Sequence, residues 1–415
     1  MKKLFLLFVL VLMGLAGCKT KSGTLLIISN PLDMDRIDAK ILITHDQMKL
    51  WTDIPEDKLP LLLEKNNKPV ACQVDDLDND GRWDELFAVI DMKPLEERKV
   101  KLVFRDSGNY PEFKDRTNVR LGANKPGYPE LTKAERLEGV SYHNHGLTGQ
   151  AYQMEGPAWE NDFVGFRNYL DQRNGMDIFG KLSTEMVLDS VGIEGRGSYH
   201  EPADWGMDIL KVGTSLGAGS IACYYKDSLY RVGDNGQGTY ELVVDGKLRS
   251  IFLLDFVDWE INGTALEVNQ SIEIQAGNHY YETSVSYSGS DMSLDLVTGI
   301  VNMKSKQLLT RELNEDFMAF LTHDYQAEDT TLLGMGLMVP VNSLIEYGRT
   351  KDAGEGITET YFVRMAAAPD KAVNFRFYSF WEKENSQWSS VDEIFIFMIK
   401  EAERLSNPLT VNLAP

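Results

Sequence analysis

Short runs of alternating apolar and polar residues fill most of this chain, many of them closed by glycine, asparagine or proline. A period of two sends successive side chains to opposite faces, so each run predicts a strand with one buried face. Thr24–Ser29 and Ile37–Thr44 are the first two, broken apart at Asn30-Pro31, and Lys99–Phe104 repeats the pattern. Pro55–Lys65 predicts one short helix. Residues 24–105 therefore read as a small N-terminal β domain. Residues 106–138 carry more proline, glycine, asparagine and charge, and predict a linker with a short helix near Leu131–Leu137.

The pattern resumes over 139–415. Tyr240–Val244 and Lys247–Phe256 flank Asp245-Gly246, a two-residue hairpin signal. Ala265–Gln275 and His279–Ser288 flank Ala276-Gly277-Asn278 in the same way. Phe317–Thr322, Leu332–Pro340, Glu359–Ala366 and Asn374–Trp381 predict further strands. Many strands joined by Gly/Asn turns, without the spacing of βαβ units, predict a mostly β fold. The expected architecture is a large antiparallel β-sandwich (supersandwich-like) with a small N-terminal β domain and a C-terminal helix. That helix is marked by the capping-box form of Ser390-Val391-Asp392-Glu393 and by the apolar face of Ile394, Met398, Ile399, Ala402 and Leu405. Asn407-Pro408 ends it.

Residues 139–219 hold His143, His145 and His200 amid dense charge and aromatic residues. His143 and His145 stand two apart and share a face if the backbone is extended. From Asp162 to Arg173, Val164, Phe166 and Leu170 fall on one parity and Arg167, Tyr169, Asp171 and Arg173 on the other. A strand between a core and a polar cleft shows that alternation. Tyr199-His200-Glu201 sets a third imidazole beside a phenol and a carboxylate. The three histidines are candidate acid/base groups, since imidazole titrates near neutral pH. They are also candidate ligands for a divalent metal, and a structural imidazole is the plain alternative for each. Arg167 and Arg173 are candidate bidentate clamps for a carboxylate or sulfate, or else partners of Asp171 or Glu160 inside the sheet. Tyr169 and Tyr199 are candidate catalytic phenols or cleft lining. Trp159 and Trp205 are platforms for a sugar ring or core indoles. No nucleotide or HExxH motif is present, and Gly213–Gly219 fits no phosphate cradle.

Charge narrows the partners. The formal net charge is −21, which argues against nucleic acid or an anionic membrane surface. An anionic ligand would then need a locally basic cleft, and Arg167, Arg173, Arg196 and Lys211 all lie in the central stretch. At the N-terminus, Lys2 and Lys3 precede the apolar run Leu4–Ala16, too short for a stable span, and Leu15-Ala16-Gly17-Cys18 resembles a lipobox. Residues 1–17 are expected to be a lipoprotein signal peptide, Cys18 the lipidated first residue, and residues 18–23 a tether. A cleavable leader with an incidental cysteine is the alternative. The expected location is the cell envelope, outer-membrane-anchored and facing the periplasm, since no acidic run follows Cys18. Cys72 and Cys223 remain, either paired or as two buried thiols.

Asp76-Leu77-Asp78-Asn79-Asp80-Gly81 matches the start of a calcium loop, with carboxylates at alternate positions and a turning glycine. Asp84 adds an oxygen at the ninth position, but Phe87 stands where the bidentate glutamate belongs. The readings are a structural calcium held by Asp76, Asp78 and Asp80, or a tight acidic hairpin turn.

Five segments go further: GPAWE at Gly156–Glu160, FRNYLDQRN at Phe166–Asn174, DIFGK at Asp177–Lys181, YHE at Tyr199–Glu201 and WGMDILKVG at Trp205–Gly213. They resemble a family of glycan-utilisation proteins long catalogued only as a domain of unknown function. Some members act as oligosaccharide dehydratases on ulvan, a sulfated algal polysaccharide rich in rhamnose and uronic acid. The resemblance implies a carbon–oxygen lyase that removes water from the non-reducing-end uronic acid and leaves a 4,5-unsaturated end. It makes residues 139–415 the catalytic domain. Such a reaction needs positive charge or strong donors at the sugar carboxylate, a base over C5 and an acid at the departing C4 oxygen. The resemblance implies Arg167 or Arg173 for the first role, His143, His145 or His200 for the second, and Tyr169 or Tyr199 for the third. Trp159, Glu160, Asp171, Arg173, Trp205 and Lys211 would bind the sugar. The implied partner is an anionic oligosaccharide, and no required cofactor is visible in the sequence. A polysaccharide lyase running the same elimination and a non-catalytic glycan-binding lipoprotein are the alternatives.

Overall fold

The computed structural model describes residues 23–123, 127, 129–136 and 152–415. Its main element is a nine-stranded antiparallel sheet. The order is Leu309–Glu312, Phe317–Asp324, Leu333–Pro340, Val373–Trp381, Tyr280–Ser288, Thr264–Gln275, Arg249–Ile261, Gln237–Asp245 and Lys133–Glu135. Two five-stranded sheets pack on one face of it. One runs Gly206–Asp208, Met176–Lys181, Val164–Asn168, Ala158–Asn161, Thr117–Arg120; the other runs Ser228–Arg231, Ala218–Tyr225, Asp295–Val301, Thr360–Ala366, Leu344–Arg349. A single core joins the three, with Trp159, Phe166 and Ile178 from the first small sheet meeting Phe252, Tyr281 and Phe377 of the large one. Ile221, Leu296 and Ile300 enter it from the second small sheet. This is the mostly β sandwich that the alternation predicts.

The opposite face of the large sheet carries the C-terminal helix, Val391–Ser406. Along Val373–Trp381, Phe377 and Trp381 point into the main core while Tyr378 and Phe380 pack on Ile394, Phe395 and Met398 of the helix. Ser390 caps it, its hydroxyl accepting from the Glu393 N–H at 3.4 Å.

The N-terminal block has its own core of Leu26, Ile41, Leu62, Cys72, Leu86 and Val100 between a four-stranded and a three-stranded sheet. Three features differ from the sequence pattern. The short helix is His45–Lys49, capped reciprocally by Thr44 and Gln47, whereas Leu59–Leu63 is a strand on Glu97–Arg105. The expected helix near Leu131–Leu137 is the strand Lys133–Glu135 on Gln237–Asp245. Within 106–138, Thr117–Arg120 also pairs, with Ala158–Asn161. Each of these short segments satisfies the unpaired backbone groups of a sheet edge, a tertiary demand that outweighs local propensity. The chain end returns to close the block, with Thr410–Leu413 pairing on Thr24–Ser29.

The block is locked to the sandwich by polar contacts. Gln73 accepts from the Leu248 and Arg249 N–H groups at 2.7 and 2.9 Å and donates to Arg249 O at 2.9 Å. Arg249 in turn pairs with Asp75 and Glu85. Cys72 and Cys223 are both free, buried in separate cores, and burial pushes each thiol up to about 12.

Candidate active site

Hairpin register decides which residues share a face of the first small sheet. Arg167 stands opposite Asp177 and Phe166 opposite Ile178; Gly165 faces Glu160 and Phe166 faces Trp159; Phe179 faces Asp208. Alternation then puts Trp159, Phe166 and Ile178 on the core face and Glu160, Arg167, Asp177, Phe179, Lys181 and Asp208 on the other. This second face is polar yet covered. Leu188, Val191, Tyr199 and Trp205, from residues 182–205, pack over it against Met154, Ala158 and Phe179. The covering loop closes at its base, where Leu182 N–H donates to Trp205 O at 2.8 Å.

Charges on a covered face have to be paired. Lys181 donates to Glu160 and to the Asn161 and Glu185 carbonyls at 2.6 and 2.9 Å. Glu160 also accepts from the Val187 and Leu188 N–H groups at 2.6 and 2.8 Å, which ties the overlying loop to the sheet. Burial raises the Glu160 pKa and lowers that of Lys181, and in each case the contact with the other group opposes the shift.

Arg167, only 1% exposed, is the hub of the second group. Its Nη2 donates to Asp177 Oδ2 at 2.6 Å, Asp208 Oδ2 at 2.8 Å and Tyr169 Oη at 2.9 Å. Nε adds a bond to Asp177 at 3.0 Å, and Nη1 donates to Tyr199 Oη at 3.0 Å. Tyr169 donates to Asp177 at 2.8 Å. On the outer side, His200 Nδ1 lies 3.2 Å from Asp208 Oδ2 with its side chain 61% exposed, and the Tyr199 and His200 rings are 4.4 Å apart. A continuous chain therefore runs from solvent through His200, Asp208 and Arg167 to the buried Asp177.

The environment biases each group. Burial opposes the Arg167 charge, but Tyr169, Asp177 and Asp208 more than offset it and raise its pKa. Burial and the charge of Asp208 push Asp177 up to about 7 against the pull of Arg167. Burial raises both phenols, and the hydrogen bond to Asp208 raises His200.

Two backbone devices hold the cluster. A Cβ on Gly206, at φ +132°, would sit 1.8 Å from Gly180 O, so only glycine lets Gly206–Asp208 pair and bring Asp208 to Arg167. Met154 and Glu155 have φ of 55° and 66°, two consecutive left-handed residues costing about 1–3 kcal/mol each. That turn sets Met154 O 3.3 Å from Arg167 Nη1 and the Glu155 carboxylate 3.7 Å from Arg167 and 3.8 Å from Arg173.

Of the residues singled out in the sequence, Arg167, Tyr169, Tyr199 and His200 come together. His143, His145 and Cys18 lie outside the described residues. Several placements favour one of the readings that the sequence left open. Neither guanidinium is an open clamp: Arg167 is enclosed by Asp177 and Asp208, while Arg173 pairs with Asp171 at 2.6 Å and lies 3.9 Å over the Tyr169 ring. Asp171 and Glu160 are held in buried ion pairs. Trp159 is a core indole, fully buried between Phe166, Phe252 and Tyr281. Trp205 is half-buried against Phe179, and Lys211 is exposed beside Lys304 and Met335. Asp177, Asp208 and Glu155 belong to the cluster and were not expected. Asp177 and Asp208 fall in the DIFGK and WGMDILKVG segments, and their proximity to Arg167 follows only once the register is known.

In the N-terminal block, Asp76, Asp78 and Asp84 bring one carboxylate oxygen each within 4.8 Å of one another, a donor set that suits a hard cation such as calcium. Asp80 is not among the three. Its Oδ1 accepts from Arg82 N–H at 2.7 Å and its own N–H donates to Asp76 and Asp78.

Comparison with known proteins gives a family. The model of a domain of unknown function, DUF4861, matches residues 28–411. Uncharacterized protein P7 of Formosa agariphila is 22% identical over 396 residues, covering 94% of this chain and 93% of that protein. An α-mannosidase structure from Enterococcus faecalis superimposes over 95% of this chain at a TM-score of 0.45 and 9% identity. A glycosyl hydrolase family 38 protein from Enterococcus faecalis does so at 0.43 and 8%. This chain spans about half the length of those two structures, 46% and 48%.

Proposed function

Since this chain belongs to the DUF4861 family, a domain without assigned function, its chemistry has to come from its own side chains, and we propose that it is a carbohydrate dehydratase. The proposed reaction removes water from the non-reducing-end uronic acid of ulvan-type oligosaccharides. The observation that carries this reading is the pair of exposed His200 and half-buried Tyr199, backed by Asp208 and Arg167. Asp208 engages Nδ1 of His200, so Nε2 is the nitrogen offered to a substrate proton. Tyr199 accepts from Arg167, which leaves its own O–H to be given to a departing oxygen. A base and an acid 4.4 Å apart, ring to ring, suit the C5 proton and the C4 hydroxyl of one sugar ring. Of the five segments that resemble ulvan oligosaccharide dehydratases, one contains this pair and the other four flank it in sequence.

Arg167 assists through Tyr199 and leaves the substrate carboxylate to another cation. Arg196, exposed and shortly before His200, is the proposed one. His143 and His145 remain proposed catalytic residues, Trp205 and Lys211 proposed binding residues, and Cys18 a proposed lipid anchor on the periplasmic side of the outer membrane. A polysaccharide lyase would run the same elimination with a sugar as leaving group and would shorten the chain.

The test follows absorbance of the new conjugated double bond on saturated uronate-ended oligosaccharides. The reading expects a signal that falls about 100-fold or more in His200→Ala and Tyr199→Phe. Full rates in both variants would discard these roles.

A further inference from the structure

We propose that Asp177 is a positioning residue for His200, acting by dividing the Arg167 guanidinium with Asp208. The inference rests on His200 being the base of the proposed reaction.

The argument is a count of hydrogens. Arg167 Nη2 carries two, and three acceptors crowd it: Asp177 at 2.6 Å, Asp208 at 2.8 Å and Tyr169 at 2.9 Å. Asp177 also takes the Nε hydrogen at 3.0 Å, so it holds the larger share of the cation. Asp208 keeps the smaller share, and its oxygen retains negative charge for His200 Nδ1 at 3.2 Å. If Asp177 were neutral, Nε and Nη2 would turn toward Asp208, and the imidazolium would lose part of its counter-charge. A carboxylate fully enclosed beneath the site therefore tunes an imidazole at the surface.

Other charged groups around the cluster do not replace this control. Glu155, from the strained turn, is 3.7 Å from Nη1, on the Tyr199 side of the guanidinium. Arg173 is bound to Asp171 and lies over the Tyr169 ring. The two phenols, Tyr169 and Tyr199, are held neutral by burial. Among the described carboxylates, Asp177 and Asp208 are the two that compete for Nη2, with the neutral Tyr169 as the third acceptor.

The experiment is an NMR titration of the His200 ring, assigned by its loss in His200→Ala, in the wild-type protein, Asp177→Asn and Tyr169→Phe. Circular dichroism checks that each variant is folded. Asp177→Asn should lower the His200 midpoint by about one unit. Tyr169→Phe takes one donor from the same carboxylate, makes its neutral form easier, and should shift the midpoint the same way by less. A folded Asp177→Asn whose His200 midpoint is unchanged or raised overturns the inference; if that variant does not fold, Tyr169→Phe decides by the same criterion. The acidic limb of kcat/KM should move with the titration. A shifted titration without any unsaturated product would overturn the dehydratase reading and leave the role of Asp177 standing. Product with an unshifted titration would do the reverse.

Discussion

Asp208 Oδ2 meets His200 Nδ1 at 3.2 Å, across the rim of a sheet face that is otherwise covered. The bond joins an exposed imidazole to a carboxylate only 2% exposed. Buried on one side and wet on the other, the pair can exchange protons with solvent while its geometry stays fixed by Arg167. That is what a general base requires, and ordinary surface histidines lack it.

The same bond sets a pH dependence. The His200 pKa is raised in the fold by Asp208. Its stabilising contribution is therefore complete below the unfolded value of about 6.5 and is lost as pH rises through the folded value. Because the side chain is largely exposed, solvent screening keeps the effect small. Thermal unfolding of wild type and His200→Ala should differ most on the acid side, with the two curves converging as pH rises. A gap that widens with pH would contradict the assignment.

Gly206→Ala should be among the most damaging small substitutions. The added methyl would meet Gly180 O at 1.8 Å on a backbone already at φ +132°. Urea denaturation should show a loss of about 2–4 kcal/mol, together with loss of activity, since strand Gly206–Asp208 carries Asp208.

The Lys181–Glu160 pair is expected to stabilise the fold without taking part in the reaction. Lys181→Met alone leaves a buried carboxylate and should cost about 3–5 kcal/mol. The double variant Lys181→Met/Glu160→Gln should cost less than the sum of the single changes, a positive coupling readable by a double-mutant cycle in urea.

Trp159→Phe separates a core indole from a sugar platform. The ring is fully buried against Phe166, Phe252 and Tyr281. The variant should lower Tm and leave KM for the oligosaccharide unchanged. A raised KM at unchanged Tm would restore the stacking role.

Much of the scaffold was legible in the sequence. The runs read as Phe317–Thr322, Leu332–Pro340 and Asn374–Trp381 are the strands Phe317–Asp324, Leu333–Pro340 and Val373–Trp381. Ser390 starts the last helix because its cap is chemically local. Lys133–Glu135 and Thr410–Leu413 were not legible, since three or four residues carry no period and the edge they join lies far away in sequence. The site divides the same way. The parity of Phe166 against Arg167 and Tyr169 announced one apolar and one polar face. It did not announce that residues 182–205 cover the polar one, so an expected open cleft is a buried charge network. Asp177 and Asp208 become partners of Arg167 through pairing register and the loop that returns at Gly206, neither of which a single strand encodes.

The most direct measurement is mass spectrometry of saturated uronate-ended oligosaccharides after incubation with the purified protein. A dehydratase built on His200 and Tyr199 predicts product one water lighter at unchanged chain length, formed by wild type and absent with a folded His200→Ala. Shortened chains, or undiminished product from His200→Ala, would contradict it.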